Sequence, residues 1–198
     1  GQVSALAGRT YLALVHHPVY DRNRRLVTTA ITNLDIHDIA RASRTFGLAR
    51  YFLVTPVIAQ RELAERIVGH WTSGAGRLHN LERTEALEVV RVVSSLAEAR
   101  AAIRDLTGEE PRVVATGATA RADRETIATH ALVEAYADGT RPILLVFGTG
   151  WGLADEVFAV ADAVLAPIRG GGPYNHLSVR AAVAIVLDRL FGNRGDHV

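Results

Sequence analysis

Short apolar runs alternate with longer amphipathic stretches along the chain. Each apolar run is long enough for a buried strand, and the amphipathic stretches repeat their apolar positions at helical spacing. Strands that alternate with helices are typical of an α/β fold, so the pattern predicts an open, mainly parallel sheet with helices on both faces. The predicted strands cover residues 11–16, 27–32, 51–54, 88–93, 112–115, 143–147 and 163–166.

Capping and terminating residues set the bounds of the predicted helices. Asn33 or Asp35 caps a helix that stops at Gly47, and Ser95 caps another. No repeat, low-complexity stretch or linker divides the chain, so we expect a single domain over residues 1–198, with its core at about 11–192. The predicted helices cover residues 35–46, 55–70, 95–106 and 124–136, with a helical turn from 84, a short helix to 158 and a last helix to 191.

Composition narrows the range of functions. The chain is 48% hydrophobic and has no cysteine, so it can build a large core but neither disulfides nor a thiolate metal site. No apolar run approaches the length of a membrane span. We therefore expect no membrane and no metal as partner, and a cytoplasmic location.

The net charge of +1 conceals an uneven distribution of charge. Residues 1–61 hold eight arginines against three acidic residues, and the chain has no lysine. Arginine binds phosphate in a bidentate manner and stacks on bases, but a GC-rich genome also replaces lysine by arginine. The run Arg22, Arg24 and Arg25 is therefore either a solvated loop or a phosphate-binding element beside a ligand site.

Two glycine-rich turns follow apolar runs in the last third of the chain. The first spans Gly148 to Leu153, and the second, from Pro167 to Ser178, contains three successive glycines. Glycine lets backbone amides approach a ligand closely, and loops at the carboxyl ends of parallel strands form the ligand crevice of an open α/β sheet. Neither turn is a dinucleotide fingerprint or a Walker A loop. The first could also be an ordinary strand-to-helix turn.

The segments Gly-Thr-Gly-Trp-Gly-Leu at 148–153 and Tyr-Asn-His-Leu-Ser-Val-Arg at 174–180 together resemble the second and third motifs of the SPOUT class of methyltransferases. The resemblance runs from about Tyr11 to Phe191 and is to a bacterial branch of RNA methyltransferases. It implies S-adenosylmethionine as cofactor, RNA as substrate, a homodimer and a C-terminal trefoil knot. The knot is implied by the resemblance alone, since knots are rare in proteins.

The resemblance also implies which residues contact the cofactor. The backbone of the first turn wraps the cofactor, Ile168 and Leu177 contact its adenine, and Ser178 caps the last helix beside it. Thr116 is either a further wall of the site or a turn threonine, and Trp151 either covers the ligand or packs against a neighbour. The predicted cofactor-binding residues are Thr116, Gly148, Gly150, Gly152, Leu153, Ile168, Gly171, Asn175, Leu177 and Ser178.

The first long helix is similar to the first motif of the class. Arg41, Phe46 and Gly47 match it, whereas Asp35 and His37 stand where the motif has Asn and Gly. In ribose-methylating relatives the matching arginine assists removal of the hydroxyl proton, so Arg41 is a catalytic candidate. Asp35 and His37 are the preferred acid–base candidates, although Asp35 could equally be only an N-cap. The other possible bases are Asp38, Asp155 and His176. The two replacements favour a base nitrogen over a ribose hydroxyl as the methylated atom.

Three functions fit these observations. The first is an RNA methyltransferase acting on tRNA or rRNA, with Arg22, Arg24 and Arg25 binding the RNA. The second is a non-catalytic module of the same fold that binds cofactor and RNA. The third, an unrelated Rossmann-like nucleotide binder, lacks its expected fingerprints. The small-residue helix at 181–187 is expected to expose an apolar face that forms the dimer interface.

Overall fold

The computed structural model describes residues 1–193, which form a six-stranded sheet with a two-stranded hairpin beside it. The strands are β1 Thr10–Val15, β2 Val19–Tyr20, β3 Leu26–Val27, β4 Arg50–Val54, β5 Val90–Val93, β6 Arg112–Ala115, β7 Ile143–Gly148 and β8 Ala163–Val164. The large sheet has the order β5-β4-β1-β7-β6-β8, and every neighbouring pair is parallel. The antiparallel hairpin consists of β2 and β3. The predicted α/β class with a mainly parallel sheet is confirmed.

Helices cover both faces of the sheet, as predicted. They are α1 Gln2–Gly8, α2 Asn33–Thr45, α3 Ile58–Thr72, α4 Gly76–His79, α5 Leu81–Leu87, α6 Leu96–Thr107, α7 Thr129–Tyr136, α8 Asp155–Ala159 and α9 Val179–Phe191. Along β1, Leu12 and Leu14 enter the core shared with α2, α7 and α9, while Ala13 and Val15 enter the core shared with α6 and α8. Because β1 is buried on both faces, it reads in the sequence as a continuous apolar run.

Several helix ends differ from the predicted ones. Thr32, rather than Asn33 or Asp35, caps α2, because its hydroxyl accepts a hydrogen bond from the Asp35 N–H at 3.1 Å. The predicted stop at Gly47 is confirmed by its φ of +79°. The predicted cap at Ser95 is also confirmed, since its hydroxyl accepts from the Glu98 N–H at 3.1 Å.

Two other helices begin later in the chain than predicted, because the residues before them pair with the sheet. Thr55 still donates its N–H to the Val93 carbonyl, so α3 begins at Ile58 and not at residue 55. Ile127 pairs with Leu165 in a bridge, so α7 begins at Thr129 and not at 124. Backbone hydrogen bonds to a sheet edge replaced the helical bonds that the pattern favoured.

Three further segments were wrongly predicted or missed. The extended segment predicted at 27–32 pairs only at its start, as β3. The helical turn predicted from 84 is the second half of α5, which begins at Leu81 with Asn80 as N-cap. The helix α1 was not predicted, because only Leu6 and Ala7 of its seven residues are buried and its apolar pattern is therefore weak.

The larger apolar residues of α9 are buried within the chain. Val183, Val186, Leu187 and Leu190 lie in the core, where α9 packs on α1, α2 and α7. The short side chains of α9 lie outside this core, since Ala181 and Ala182 are half-buried and Ala184 is exposed. The dimer interface at 181–187 therefore stays a prediction.

Two structural absences concern the described part of the chain. Across residues 1–193, no helix combines the length and apolar character that a membrane crossing needs. Over the same range, no group of three or more histidine and acidic side chains is arranged to hold a metal ion.

Candidate active site

Three loops meet at the carboxyl edge of the sheet. They follow β7, β6 and β8, which are adjacent in the order β7-β6-β8 and run in the same direction. We call residues 148–153 the first loop and residues 168–178 the second loop. Asn175 of the second loop donates from its side-chain amide to the Ala118 carbonyl in the segment after β6, at 2.6 Å. The topology therefore brings together the three segments that sequence analysis assigned to the cofactor.

The β2–β3 hairpin holds the first loop in place. Tyr20 donates its N–H to the Gly152 carbonyl and accepts from the Trp151 N–H, each at 2.9 Å. Ala154 donates to the Pro18 carbonyl at 3.1 Å, and Thr149 donates to the Val15 carbonyl at 3.2 Å. The backbone of the first loop is thus fixed on two sides, by the hairpin and by the end of β1.

Two of the glycines in the first loop are required by the loop's compact shape. A Cβ on Gly148 would lie 2.8 Å from the Leu153 nitrogen, which no side chain can tolerate. Gly150 has a φ of +59°, and a Cβ there would lie 3.0 Å from the Tyr20 carbonyl oxygen. Gly152 has a φ of +106° but open space around it. Leu153, at the end of the loop, is buried.

A partly buried chain of polar side chains, His16, Thr29 and Thr149, supports the first loop. His16, directly after β1, is fully buried, and its Nδ1 lies 3.1 Å from the Thr29 hydroxyl. Thr29 in turn shares a hydroxyl hydrogen bond with Thr149. Burial lowers the pKa of His16 from 6.5 to about 4, with Asp35 opposing the shift, so the imidazole is neutral at neutral pH. Sequence analysis missed this chain, and the position of His16 at a strand end was the one available signal.

Within the described residues, the backbone of the second loop, unlike that of the first, is not held by hydrogen bonds from its own N–H groups. Over residues 1–193, none of the backbone N–H groups of residues 168–177 donates a hydrogen bond to a protein atom. A Cβ added at any of the three glycines 170–172 would meet no atom within 4 Å. Ile168 packs partly against the core, and Leu177 is 48% exposed. The Ser178 hydroxyl caps α9 by accepting from the Ala181 N–H at 3.2 Å.

This arrangement fits an adenosyl group. The free amide N–H groups of the second loop can donate to ring nitrogens and hydroxyls, and the partly exposed Ile168 and Leu177 can contact a purine, whereas Leu153 is buried in the core. Thr116 directly follows β6 and donates its hydroxyl proton to the Val146 carbonyl at 2.8 Å. Its oxygen lone pairs and methyl group remain for a ligand.

The structure separates Asp35 from the other two predicted catalytic residues. Asp35 is buried and accepts a hydrogen bond from the Arg180 guanidinium at 2.8 Å, and Arg180 also lies 3.5 Å from Asp38. Arg180 belongs to the first turn of α9, two residues after Ser178. Asp35 is therefore fixed beside the end of the second loop. Arg180 is part of the third motif, but sequence analysis assigned it no role.

His37 and Arg41 lie on another side of α2. The His37 ring is buried edge-on against Trp71, with ring centroids 5.8 Å apart, and among the described residues its Nδ1 has no hydrogen-bond partner. Burial, with the nearby Arg83 and Arg41 guanidiniums, lowers the pKa of His37, while Asp38 opposes the shift. Arg41 is exposed one helical turn later. These two residues do not meet Asp35.

The three arginines assigned to RNA binding are exposed on the hairpin that supports the first loop. The Asp21 carboxylate accepts from the N–H groups of Asn23 and Arg25 at 2.8 and 2.9 Å and so shapes the turn. The Arg24 guanidinium lies over the Tyr20 ring, 4.7 Å from its centroid. The turn presents Arg22, Arg24 and Arg25 to solvent on the hairpin that is hydrogen-bonded to the first loop.

Comparison with known protein families gives one match that covers most of the chain. A family model described as SAM-dependent RNA methyltransferase matches residues 9–192. A protein from Nitratidesulfovibrio vulgaris named tRNA (guanine-N(1)-)-methyltransferase is 46% identical over 186 residues, which are 92% of this chain but 42% of that protein. A protein of unknown function from Aquifex aeolicus is 39% identical over 187 residues, covering 94% of this chain and 90% of its own. The chain thus spans less than half the length of the relative with a named activity.

Solved structures share the fold at low sequence identity. A methylase family protein from Neisseria gonorrhoeae superposes with a TM-score of 0.65 at 19% identity, over 96% of this chain and 84% of that one. An rRNA methyltransferase from Sinorhizobium meliloti, solved with AdoMet bound, superposes with a TM-score of 0.54 at 17% identity, over 93% of this chain and 56% of that one. These likenesses confirm the predicted fold, and the knot remains implied by it.

Proposed function

The chain belongs to the family of S-adenosylmethionine-dependent RNA methyltransferases, and we propose that it methylates a base nitrogen of tRNA, N1 of a guanine. The main support is that the three loops assigned to the cofactor meet at one edge of the sheet, where the arginine-bearing hairpin is bonded to the first of them. The name of the Nitratidesulfovibrio relative supports the choice of atom. The replacement of the first-motif Asn and Gly by Asp35 and His37 supports a base nitrogen over a ribose hydroxyl.

Each predicted site residue has a place in this proposal. Bound S-adenosylmethionine supplies an electrophilic methyl group on its sulfonium. The cofactor is held by the backbone of the first loop (Gly148, Gly150, Gly152 and Leu153), by Thr116, and by the second-loop residues Ile168, Gly171, Asn175, Leu177 and Ser178. Arg22, Arg24 and Arg25 bind RNA phosphates, which positions the base without reading its sequence.

Methyl transfer also requires removal of the proton on guanine N1 as the new nitrogen–carbon bond forms and the sulfonium bond breaks. Of the predicted catalytic residues, Asp35 is the one beside the second loop, and Arg180 orients its carboxylate. We assign proton acceptance to Asp35. Arg41 is assigned to RNA contact, since it is exposed on α2, and His37 to the packing that supports it.

The test is methylation of unmodified tRNA transcripts with labelled cofactor, followed by digestion and mass spectrometry. We expect 1-methylguanosine in the digest. Asp35→Asn keeps the shape of the side chain and should lower kcat at least tenfold with unchanged cofactor affinity, whereas Arg41→Ala should raise KM for tRNA. Cofactor binding without methyl transfer to tRNA, or with methyl groups on ribose, would contradict the proposal.

A homodimer in the cytoplasm completes the proposal. Both features rest on the family resemblance, since Val183, Val186, Leu187 and Leu190 of α9 lie in the protomer's own core while Ala184 is exposed. Sedimentation at micromolar concentration tests the assembly: a two-fold dimer is expected, and a monomer over that whole range would contradict it.

A further inference from the structure

An exposed aromatic cluster joins the two cofactor loops. Trp151 of the first loop and His176 of the second have ring centroids 6.2 Å apart at an interplanar angle of 70°. Tyr174 also contacts His176, with ring centroids 5.0 Å apart at an interplanar angle of 68°. The cluster of Trp151, Tyr174 and His176 is therefore a continuous aromatic surface built from both loops.

The rings of this cluster remain open to solvent. Trp151 is 59% exposed and Tyr174 is 81% exposed, although both are among the largest apolar side chains in the chain. Aromatic rings of this size are usually buried or occupied at an interface. The edge-to-face contacts with His176 hold the rings in place and leave this area uncovered.

The cluster is distinct from the apolar contacts assigned to the adenosyl group. Leu153 is buried and Ile168 packs against the core, so these two residues lie at the base of their loops. Trp151 and Tyr174 instead lie near the tips, among exposed residues. A ligand that stacks on them is closer to solvent than one held against Ile168.

The cluster continues directly into the arginine-bearing hairpin. The Trp151 N–H donates to the Tyr20 carbonyl at 2.9 Å, and the Tyr20 ring carries the Arg24 guanidinium at 4.7 Å. Cationic groups for phosphate next to aromatic rings for bases are the combination that binds unpaired nucleic acid. A double helix keeps its bases stacked and offers no face to such a surface.

We propose that Trp151, Tyr174 and His176 form a stacking platform for an unpaired nucleobase of the RNA substrate. The platform rests on the proposed function, since it presents a base beside the methyl donor while the hairpin holds the flanking phosphates. It restricts the substrate to a base in a loop, or to one turned out of its helix. Trp151 and Tyr174 are positioning residues that touch the substrate base.

Tryptophan fluorescence tests the platform directly. The chain has two tryptophans, Trp71 and Trp151, so Trp71→Phe leaves Trp151 as the sole tryptophan. A single-stranded purine-containing oligoribonucleotide should quench at least half of its emission, and the same strand in a duplex should quench far less. Trp71 is half-buried against His37 and His70, so Trp71→Phe can disturb the packing. The difference in quenching between wild type and Trp151→Phe gives the same information without changing Trp71.

Binding measurements complete the test. Trp151→Ala should weaken binding of the single-stranded oligoribonucleotide about tenfold, the size expected for one lost base stack. Trp151→Phe should retain most of the affinity, and both variants should bind S-adenosylhomocysteine like wild type. Leu78→Ala, an 87% exposed position on α4, is the matched control and should change neither affinity.

The outcomes separate this proposal from the proposed function. If wild type binds neither S-adenosylhomocysteine nor tRNA, the proposed function fails. If it binds both and Trp151→Ala binds the oligoribonucleotide as tightly as wild type, the platform alone is wrong. Quenching of Trp151 by S-adenosylhomocysteine but not by RNA would show that the rings belong to the cofactor site, and would also overturn the platform.

Discussion

The two loops assigned to the cofactor follow β7 and β8, which lie on either side of β6 in one sheet, yet they are held in opposite ways. In the first loop the N–H groups of Thr149, Trp151 and Gly152 all donate to protein carbonyls, and the loop lies on the hairpin and on a partly buried chain of polar side chains. In the second loop the backbone N–H groups from 168 to 177 find no protein acceptor in the part of the chain that the structure describes. Its ends are fixed by Ile168 and by Ser178 and Arg180. Between them, side chains alone tie the loop, through the Asn175 amide to the Ala118 carbonyl and through the His176 ring to Trp151.

The difference shows how a binding site can fix the position of its ligand with one loop and stay open to solvent at the other. A loop whose amides are already satisfied loses little entropy when a ligand arrives, so the first loop is preorganised. The second loop must be ordered by the ligand, and its free amides are the groups that the ligand can satisfy. We therefore expect the first loop to set the position of the cofactor and the second loop to close on it.

The largest expected effect concerns His16 under the first loop. Its pKa is lowered from 6.5 to about 4, so the folded state binds this proton less readily than the unfolded state does. The resulting stability is complete above pH 6.5 and is lost as the pH falls from 6.5 to 4, by about 3 kcal/mol. Denaturant unfolding measures this effect. Between pH 7 and pH 4, the free energy of unfolding should fall by about 3 kcal/mol more in wild type than in His16→Asn. Equal losses in the two proteins would mean that His16 is not a neutral buried support.

Glycine substitution compares the two loops directly. A Cβ on Gly148 meets the Leu153 nitrogen at 2.8 Å, whereas one on Gly171 meets nothing within 4 Å. Gly148→Ala should therefore lower the free energy of unfolding by about 2 kcal/mol, the range of overpacked positions. It should also weaken cofactor binding measured by calorimetry.

Gly171→Ala is the matched control for that change. It should alter stability by less than about 0.5 kcal/mol, as exposed substitutions do. If Gly148→Ala and Gly171→Ala lowered the free energy of unfolding equally, the first loop would be no more tightly fixed than the second.

Much of this contrast was not available from the sequence. The strand runs, the helices on both faces and the two glycine-rich turns were predicted because apolar periodicity and glycine are local signals. The tie between Asp35 and Arg180 joins residues 145 positions apart, and the bond between Thr29 and Thr149 joins residues 120 apart. No periodicity encodes such contacts, so Asp35 was predicted as an acid–base candidate or cap without its partner.

The same limit applies to α9. Its apolar residues form the same pattern in the sequence whether they meet a second protomer or α1, α2 and α7 of their own chain, and the larger ones meet their own chain. A resemblance to known motifs identified the loops, but the surrounding packing decides which faces are covered. His37 was likewise predicted for chemistry and lies buried against Trp71.

The smallest expected effect concerns Asn175, the link between the second loop and the segment after β6. Asn175→Ala removes one exposed hydrogen bond of 2.6 Å to Ala118, so stability should fall by less than about 1 kcal/mol. Cofactor affinity should fall about threefold, because the free loop then has more conformations to lose. Leu78→Ala, at an 87% exposed position on α4 outside both loops, should leave both quantities unchanged. Unchanged affinity in Asn175→Ala would mean that this link does not prepare the loop.

Amide hydrogen exchange, with and without S-adenosylhomocysteine, tests the central claim most directly. Without ligand, the amides of Thr149, Trp151 and Gly152 should exchange slowly, and those of residues 168–172 should exchange at nearly the rate of an open chain. Saturating ligand should slow the second loop at least tenfold and change the first loop little. Equal exchange in the two loops before binding, or no slowing of residues 168–177 by the ligand, would contradict the account.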